Sequence, residues 1–371
     1  MLKEIYMRKL KITALLLVPI LFMTVFPARA LDVSARSAIL IEAETGRVVF
    51  EKDADTRRPM ASTTKIMTAL VAIESGDLSR EITVDAAAEG IEGSSIYLCA
   101  GDKITLEALV WALMLESAND AATAIAIGVA GSVDAFADLM NQKATELGLC
   151  DTHFTNPHGL SDEEHYTTAR DLARLTAAAL ENETFKTIVS TPSYRIEYGE
   201  SVRNLHNHNK MLRLYDGALG VKTGFTKVSG RCLVSAAERD GLTLIAVTLN
   251  APDDWSDHTA MLDLGFSSLE KLTLIEPGES VFISPCIGTE SGQITIKNRE
   301  GLTAILPMGE HNITHTVILP RYLWAPINAG DEVGKIEIRD GETLLGEVIL
   351  YAEEDAKRIE YKKNLFEKIF D

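Results

Sequence analysis

The stretch Met60-Ala-Ser-Thr-Thr-Lys-Ile66 sets a hydroxyl, Ser62, three positions ahead of an amine, Lys65, where an apolar helical pattern begins. Residues three apart on a helix share a face, so the two side chains can meet. A serine hydroxyl attacks only when a base takes its proton. Lysine is that base when burial or a neighbouring cation holds it neutral, and Met60, Ile66 and Met67 supply apolar surroundings. A helix start also presents free backbone N–H groups to a developing oxyanion. The plainer reading is that Ser62 caps the helix and Lys65 points into water.

Two further groups bear on that choice. Ser117-Ala118-Asn119 interrupts a helical pattern and offers a hydroxyl able to pass a proton and an amide able to grip a peptide carbonyl. Lys222-Thr223-Gly224, followed by Phe225-Thr226, falls within a strand pattern. It brings a cation, a hydroxyl and a glycine whose missing side chain lets a ligand lie against the strand. Each alone reads equally well as a capped loop or as a solvated lysine beside a turn.

The elements that must position these groups are legible from periodicity. Ala38 to Phe50 alternates about a Thr45-Gly46 turn and predicts a hairpin. Helices are expected over Ser62 to Ser75, Leu106 to Leu115, Val133 to Leu147 and Thr168 to Leu180, with another starting behind Asp120 as N-cap. Ala218 to Phe225, Cys232 to Glu238 and Leu242 to Asn250 read as strands, the last two separated by Asp240-Gly241. From Leu274 to Ala352 the helical period vanishes, and short alternating runs punctuated by Pro277-Gly278, Pro307, Pro320 and Asp340-Gly341 predict a small all-β sandwich. From Asp355 onward Ile359, Leu365, Phe366, Ile369 and Phe370 gather on one side of a helix, with Lys357, Arg358, Lys362, Lys363 and Lys368 on the other.

The 371 residues exceed one small core and carry a net charge of −18, which repels nucleic acid. A basic start, an apolar run from Ile12 to Phe26 and the small residues of Ala28-Arg29-Ala30 read as a secretory signal over residues 1–30, with an uncleaved anchor as the alternative. Export permits disulfides, but Cys99, Cys150, Cys232 and Cys286 are widely spaced, and neither bridges nor free thiols are favoured. His206 and His208 form an alternate-residue pair without a third metal ligand nearby, and no metal or organic cofactor is implied. His153 and His158 flank a loop they would support.

Ser-x-x-Lys, Ser-x-Asn and Lys-Thr-Gly, in this order and each in its expected local structure, form the set used by penicillin-recognising serine enzymes. On these motifs, with "FTNPHGL" at Phe154 to Leu160, the β-module and the tail, the chain resembles the low-molecular-mass penicillin-binding proteins, serine-type D-alanyl-D-alanine carboxypeptidases. The resemblance implies an α+β catalytic domain of the β-lactamase/transpeptidase type, an antiparallel sheet with helices, over 31–272. A β-sandwich over 273–352 and an amphipathic tail helix over 353–371 would follow. It implies Ser62 as the acylated nucleophile, Lys65 as its base and Ser117 as proton relay to the leaving D-alanine. Asn119 would hold the substrate amide, and Lys222 and Thr223 the terminal carboxylate. The strand of Gly224, Phe225 and Thr226 would complete the substrate site, with the Ser62 and Phe225 N–H groups around the oxyanion. Lys222 would also help to keep Lys65 neutral. In Asn207-His208-Asn209, His208 would face the carboxylate. The implied partners are peptidoglycan stem peptides ending in D-Ala-D-Ala, β-lactams as covalent inhibitors and a membrane surface on the extracytoplasmic side. A serine β-lactamase is the rival, although Glu163 and Glu164 lack the asparagine partner of a class A deacylating glutamate; a catalytically silent scaffold is another.

Overall fold

The computed structural model describes residues 31–360; the expected signal segment and residues 361–371 of the expected tail helix lie outside this range. Strands β1 (Ser37–Glu42) and β2 (Val48–Lys52) form the hairpin expected around Thr45-Gly46. Two small antiparallel pairs lie beside the helices: β3 (Glu81–Thr83) with β4 (Lys103–Thr105), and β5 (Ser193–Tyr198) with β6 (Ser201–His206). Then β7 (Ala218–Thr226), β8 (Gly230–Arg239) and β9 (Leu242–Leu249) complete an antiparallel sheet in the order β2-β1-β9-β8-β7.

Alternation along the central strands explains why both faces of this sheet are covered. Ile39 and Ile41, Val234 and Ala236, and Ile245 and Val247 point into one core; Ala38 and Leu40, Leu233 and Ala237, and Leu244 and Ala246 point into another. The first core is filled by α1 (Lys65–Glu74), α2 (Leu106–Leu115), α3 (Asn119–Ala130), α4 (Val133–Glu146), α5 (Ala169–Leu180) and α6 (Glu183–Ser190). A short turn, α7 (Met211–Leu214), precedes β7, and α8 (Asp254–Ser268) covers the opposite face with Met261 and Leu262.

Helix α3 starts two residues earlier than its sequence suggests, with Ala118 at the cap position. Asp120 is no N-cap. Its buried carboxylate accepts from Ile96 N, Leu98 N, Ser95 Oγ and Ala121 N at 2.6 to 3.2 Å, and so ties the 95–98 loop to the helix start.

The second domain begins directly after α8. Strand β10 (Leu269–Ile275) runs on without a linker and pairs with β13 (Leu302–Pro307). Between and after them lie β11 (Val281–Ile287), β12 (Gln293–Asn298), β14 (Ile313–Ile318), β15 (Leu323–Trp324), β16 (Glu332–Asp340) and β17 (Thr343–Ala352), in a six-stranded sheet ordered β14-β16-β17-β12-β11-β15. Ile294, Ile296, Ile336, Ile338, Val348 and Leu350 fill its interior.

Helical spacing from Asp355 onward is overridden as far as Glu360. Ala356 is buried and exchanges two backbone hydrogen bonds with Ile327, at 3.1 and 2.8 Å, and Ile359 N donates to Gly288 O at 2.7 Å. Backbone pairing and burial of one small side chain outweigh a weak local helical preference.

Candidate active site

The chain enters α1 through a 3₁₀ turn, Ala61–Thr64, so Ser62 stands on the last loop of backbone before a buried helix. No side chain caps either start, which removes the plain reading of Ser62. Ala61 has φ +48°, a left-handed conformation costly for a residue with a Cβ. Ser117, at the break between α2 and α3, has φ +60°. Backbone strain therefore collects at two of the three motifs.

Lys65 has no exposed surface, so the second half of the plain reading fails too. Its Nζ lies 2.6 Å from Asn119 Oδ1, 2.7 Å from His158 O and 3.0 Å from Ser62 Oγ. Burial holds its pKa well below the ordinary lysine value, and the charge of Lys222 lowers it further, against a smaller upward pull from Asp120. A neutral amine has two N–H donors and one lone pair. The two carbonyl oxygens can only accept, so they take both donors and leave the lone pair facing Ser62 Oγ. Burial thus makes Lys65 a base, and the two carbonyls aim it.

The third motif comes from β7. Lys222 is 1% exposed, and burial pushes its pKa down to about 7. Its Nζ donates to Thr223 O at 3.0 Å. Of the two lysines, Lys222 is the better holder of charge because Lys65 feels Lys222 as well as burial. Gly224, beyond lining the cleft, serves a second purpose. A Cβ there would stand 3.0 Å from Ser62 N, 3.2 Å from Ala61 Cβ and 3.2 Å from Met60 O, so its bareness lets the strand lie against the turn that carries Ser62.

An open cleft of roughly 380 Å³ runs between turn and strand, lined by Ser62, Ser94, Ser117, Thr223, Gly224 and Phe225 on its motif side and by His208, Lys210, Arg231, Asp254 and Trp255 beyond. Lys65, Asn119 and Lys222 are buried beside it. Phe225 keeps its side chain in solvent, 66% exposed. Thr226 stands outside the lining: it exchanges hydrogen bonds with Ser229 at 2.9 to 3.1 Å and closes the β7–β8 turn. Asn119 is engaged at both ends, with Nδ2 donating to Glu92 O at 2.5 Å. His208 Nε2 is 3.3 Å from Glu116, and burial together with Lys222 lowers its pKa. Glu163 lines a separate groove with Arg57 and Tyr166.

Several contributors carry no motif. Arg231, opposite Phe225 on β8, turns its guanidinium to Asp254 at 2.8 Å and lies 5.8 Å from the ring centre of Trp255, as does Lys210 Nζ. These cations face the cleft on an acidic protein, and a regular strand pattern gives no sign of it. His158 matters through its backbone carbonyl, which side-chain reading cannot detect. The cysteines are all free thiols, with Cys99 and Cys150 exposed and Cys232 and Cys286 buried. Among the described residues no cluster of three His, Cys, Asp or Glu side chains could hold a metal ion.

A helix-flanked antiparallel sheet with a serine and lysine at the start of its central helix, facing a Lys-Thr-Gly strand, defines the class of penicillin-recognising serine enzymes. Residues 24–253 match the D-alanyl-D-alanine carboxypeptidase family, peptidase S11, and residues 270–358 match the penicillin-binding protein 5 C-terminal domain. The chain belongs to this family of serine-type peptidases. It is 32% identical over 335 residues to the D-alanyl-D-alanine carboxypeptidase DacF of Bacillus subtilis, covering 87% of this chain and 86% of that one. Escherichia coli DacC is 30% identical over 344 residues, covering 87% and 84%. Among solved structures, the carboxypeptidase DacD of Francisella tularensis matches with a TM-score of 0.65 at 26% identity over 89% of this chain and 95% of that one. The Streptomyces K15 DD-transpeptidase matches with a TM-score of 0.60 at 36% identity, covering 63% and 98%.

Proposed function

We propose that the chain removes the terminal D-alanine from peptidoglycan stem peptides ending in D-alanyl-D-alanine, through an acyl-enzyme on Ser62, and that β-lactams acylate the same serine. The observation that carries this reading is the Lys65 amine, buried and held by two carbonyls so that its lone pair faces Ser62 Oγ at 3.0 Å. Ser62 Oγ attacks the carbonyl of the penultimate D-alanine as its proton passes to Lys65 Nζ. The negative oxygen settles between the N–H groups of Ser62 and Phe225. Ser117 passes a proton to the departing amine, D-alanine leaves, and water then attacks the ester to free the shortened peptide and restore the hydroxyl. Lys222, Thr223 and Arg231 supply the positive and hydroxyl groups for the terminal carboxylate. Asn119 sets Lys65 through Oδ1, and its Nδ2, with one hydrogen on Glu92 O, keeps a second hydrogen for a substrate carbonyl.

We assign 31–268 to catalysis and 269–352 to a β-domain, because β10, which the boundary expected at 272 would cut, pairs with β13 along its length. Residues 1–30 read as an export signal and 361–371, beyond the stretch that pairs with the β-domain, as a segment contacting the extracytoplasmic membrane surface, on the basic and apolar patterning of those two ends. The groove containing Glu163 is distinct from the cleft of Ser62, which favours a peptidase over a class A lactamase. The test is release of D-alanine from a soluble peptide ending in two D-alanines, by the chain from Leu31 and by its Ser62→Ala variant. Release by the first alone is expected, with a loss of at least about 10⁴-fold in the second; comparable release by both overturns the assignment of Ser62.

A further inference from the structure

His165 lies behind the Ser62 turn, on the segment that follows the His158 loop, and takes no part in the chemistry described above. Its ring is 3% exposed and packs edge-on against Phe154. Nδ1 stands 3.0 Å from Thr155 N, and a backbone N–H can only donate, so Nδ1 is the unprotonated nitrogen. The ring proton is therefore on Nε2, 2.7 Å from Thr64 Oγ1. Burial pushes the His165 pKa down to about 4, in keeping with this neutral tautomer. The Thr64 hydroxyl spends its own proton on Ala61 O at 2.8 Å. All the donors run one way: Thr155 N–H to His165, His165 to Thr64, Thr64 to the carbonyl of Ala61.

Ala61 is the left-handed residue just before Ser62, and its carbonyl shares a rigid plane with the N–H of Ser62. In a trans peptide the two groups point in opposite directions, so a bond that fixes Ala61 O also fixes the direction of the Ser62 N–H. Gly159 closes the other side of this oxygen, since a Cβ at Gly159, itself at φ +88°, would overlap Ala61 O. The Ser62 nitrogen meanwhile faces β7, 3.0 Å from where a Cβ on Gly224 would stand.

We propose that His165, acting through the Thr64 hydroxyl, is a positioning residue for the oxyanion site: it holds the Ala61–Ser62 peptide plane so that the Ser62 N–H points into the cleft. This rests on the reading of Ser62 as nucleophile. Removing the hydroxyl while keeping the volume, Thr64→Val, frees the peptide plane and leaves Lys65 and its three partners in place. Acylation by penicillin and kcat for the peptide fall about 10²-fold, the scale of one lost oxyanion donor, with KM within a factor of two or three and the pH dependence of acylation unmoved. Thr64→Ser restores the hydroxyl and returns the rate to within a few-fold of the parent. His165→Gln, which can still offer an N–H, falls less than His165→Ala, and the double variant His165→Ala/Thr64→Val loses no more than Thr64→Val alone.

Acylation of Thr64→Val at the parental rate, or an equal fall in Thr64→Val and Thr64→Ser, overturns the relay. So does additive loss in the double variant. Should His165→Ala fail to fold, as judged by its thermal transition, the two Thr64 variants still decide the matter. Ser62→Ala, run alongside, separates the two claims: retained acylation there removes the nucleophile assignment itself, whereas an inert Ser62→Ala beside an active Thr64→Val removes only the relay.

Discussion

The two domains bury different things. The second encloses an apolar interior whose buried polar residues are Ser284, Thr289 and Asn298, none of them charged. The catalytic domain buries Lys65, Lys222, Glu42, Asp120, Asp171, Asp254 and Asp257, along with His165 and His258. Burying ionisable groups is unfavourable unless each is paired or neutralised. Asp120 is satisfied by backbone N–H groups and Asp254 by Arg231, but among the described residues the two lysines have no carboxylate partner within salt-bridge reach. A fold keeps such groups where they perform chemistry, and a domain without them reads as architecture.

Lys65→Met breaks the comparison most sharply. Acylation by penicillin should fall about 10³-fold, the middle of the range for loss of a general base, while the thermal transition stays or rises. A variant that is acylated normally would remove Lys65 from the mechanism. In the β-domain the opposite signature is expected: Ile338→Ala should cost about 3 kcal/mol in denaturant unfolding of that domain and leave kcat/KM for the peptide unchanged. A matching loss of activity would show that the domain shapes the cleft.

Lys222→Met sharpens the contrast from the other side, trading activity for stability. The folded lysine has a pKa of about 7 against an ordinary 10.5, so between these values the unfolded chain binds more protons than the folded one. That imbalance makes this group's contribution improve as pH rises and leaves it most destabilising below pH 7. Lys222→Met should therefore stabilise the fold at pH 7, by roughly 4 kcal/mol, with the gain shrinking towards pH 10. A gain independent of pH would mean that packing is responsible. The smallest effect is expected at Arg231, already paired with Asp254: Arg231→Gln should raise KM for the peptide about tenfold and leave kcat nearly unchanged, a split visible in steady-state kinetics.

Much of this architecture is legible in the amino-acid sequence. The hairpin at Thr45-Gly46, helices α2, α4 and α5, and strands β7 to β9 follow from periodicity because each buries a regular face. Ser62, Ser117, Thr223, Gly224 and Phe225 meet as their spacing and order suggest, with Lys65, Asn119 and Lys222 buried beside them. Other features leave a fainter trace. Helix α6 is only eight residues long and includes Thr187 and Val189, so its capping residue, Asn182, is its clearest signal. Helix α8 splits its apolar positions between the sheet and β10, which blurs a single stripe. Backbone contributions leave no mark in a list of side chains, and the carbonyls of His158 and Ala61 are of that kind. Long-range partners are equally silent: nothing local ties His165 to Thr64, 101 positions away.

Gly224 bears on how this site can diversify. With β7 seated against the serine's turn through a bare Cα, the two backbones lie so close that adding even one methyl group requires them to give by a few tenths of an ångström. The spacing between serine and strand is thus set closely by the missing side chain. Substrate preference can change only at the rim, through side chains such as Phe225 that lean into solvent from the same strand, so new specificities can arise there without disturbing the machinery a few ångströms below.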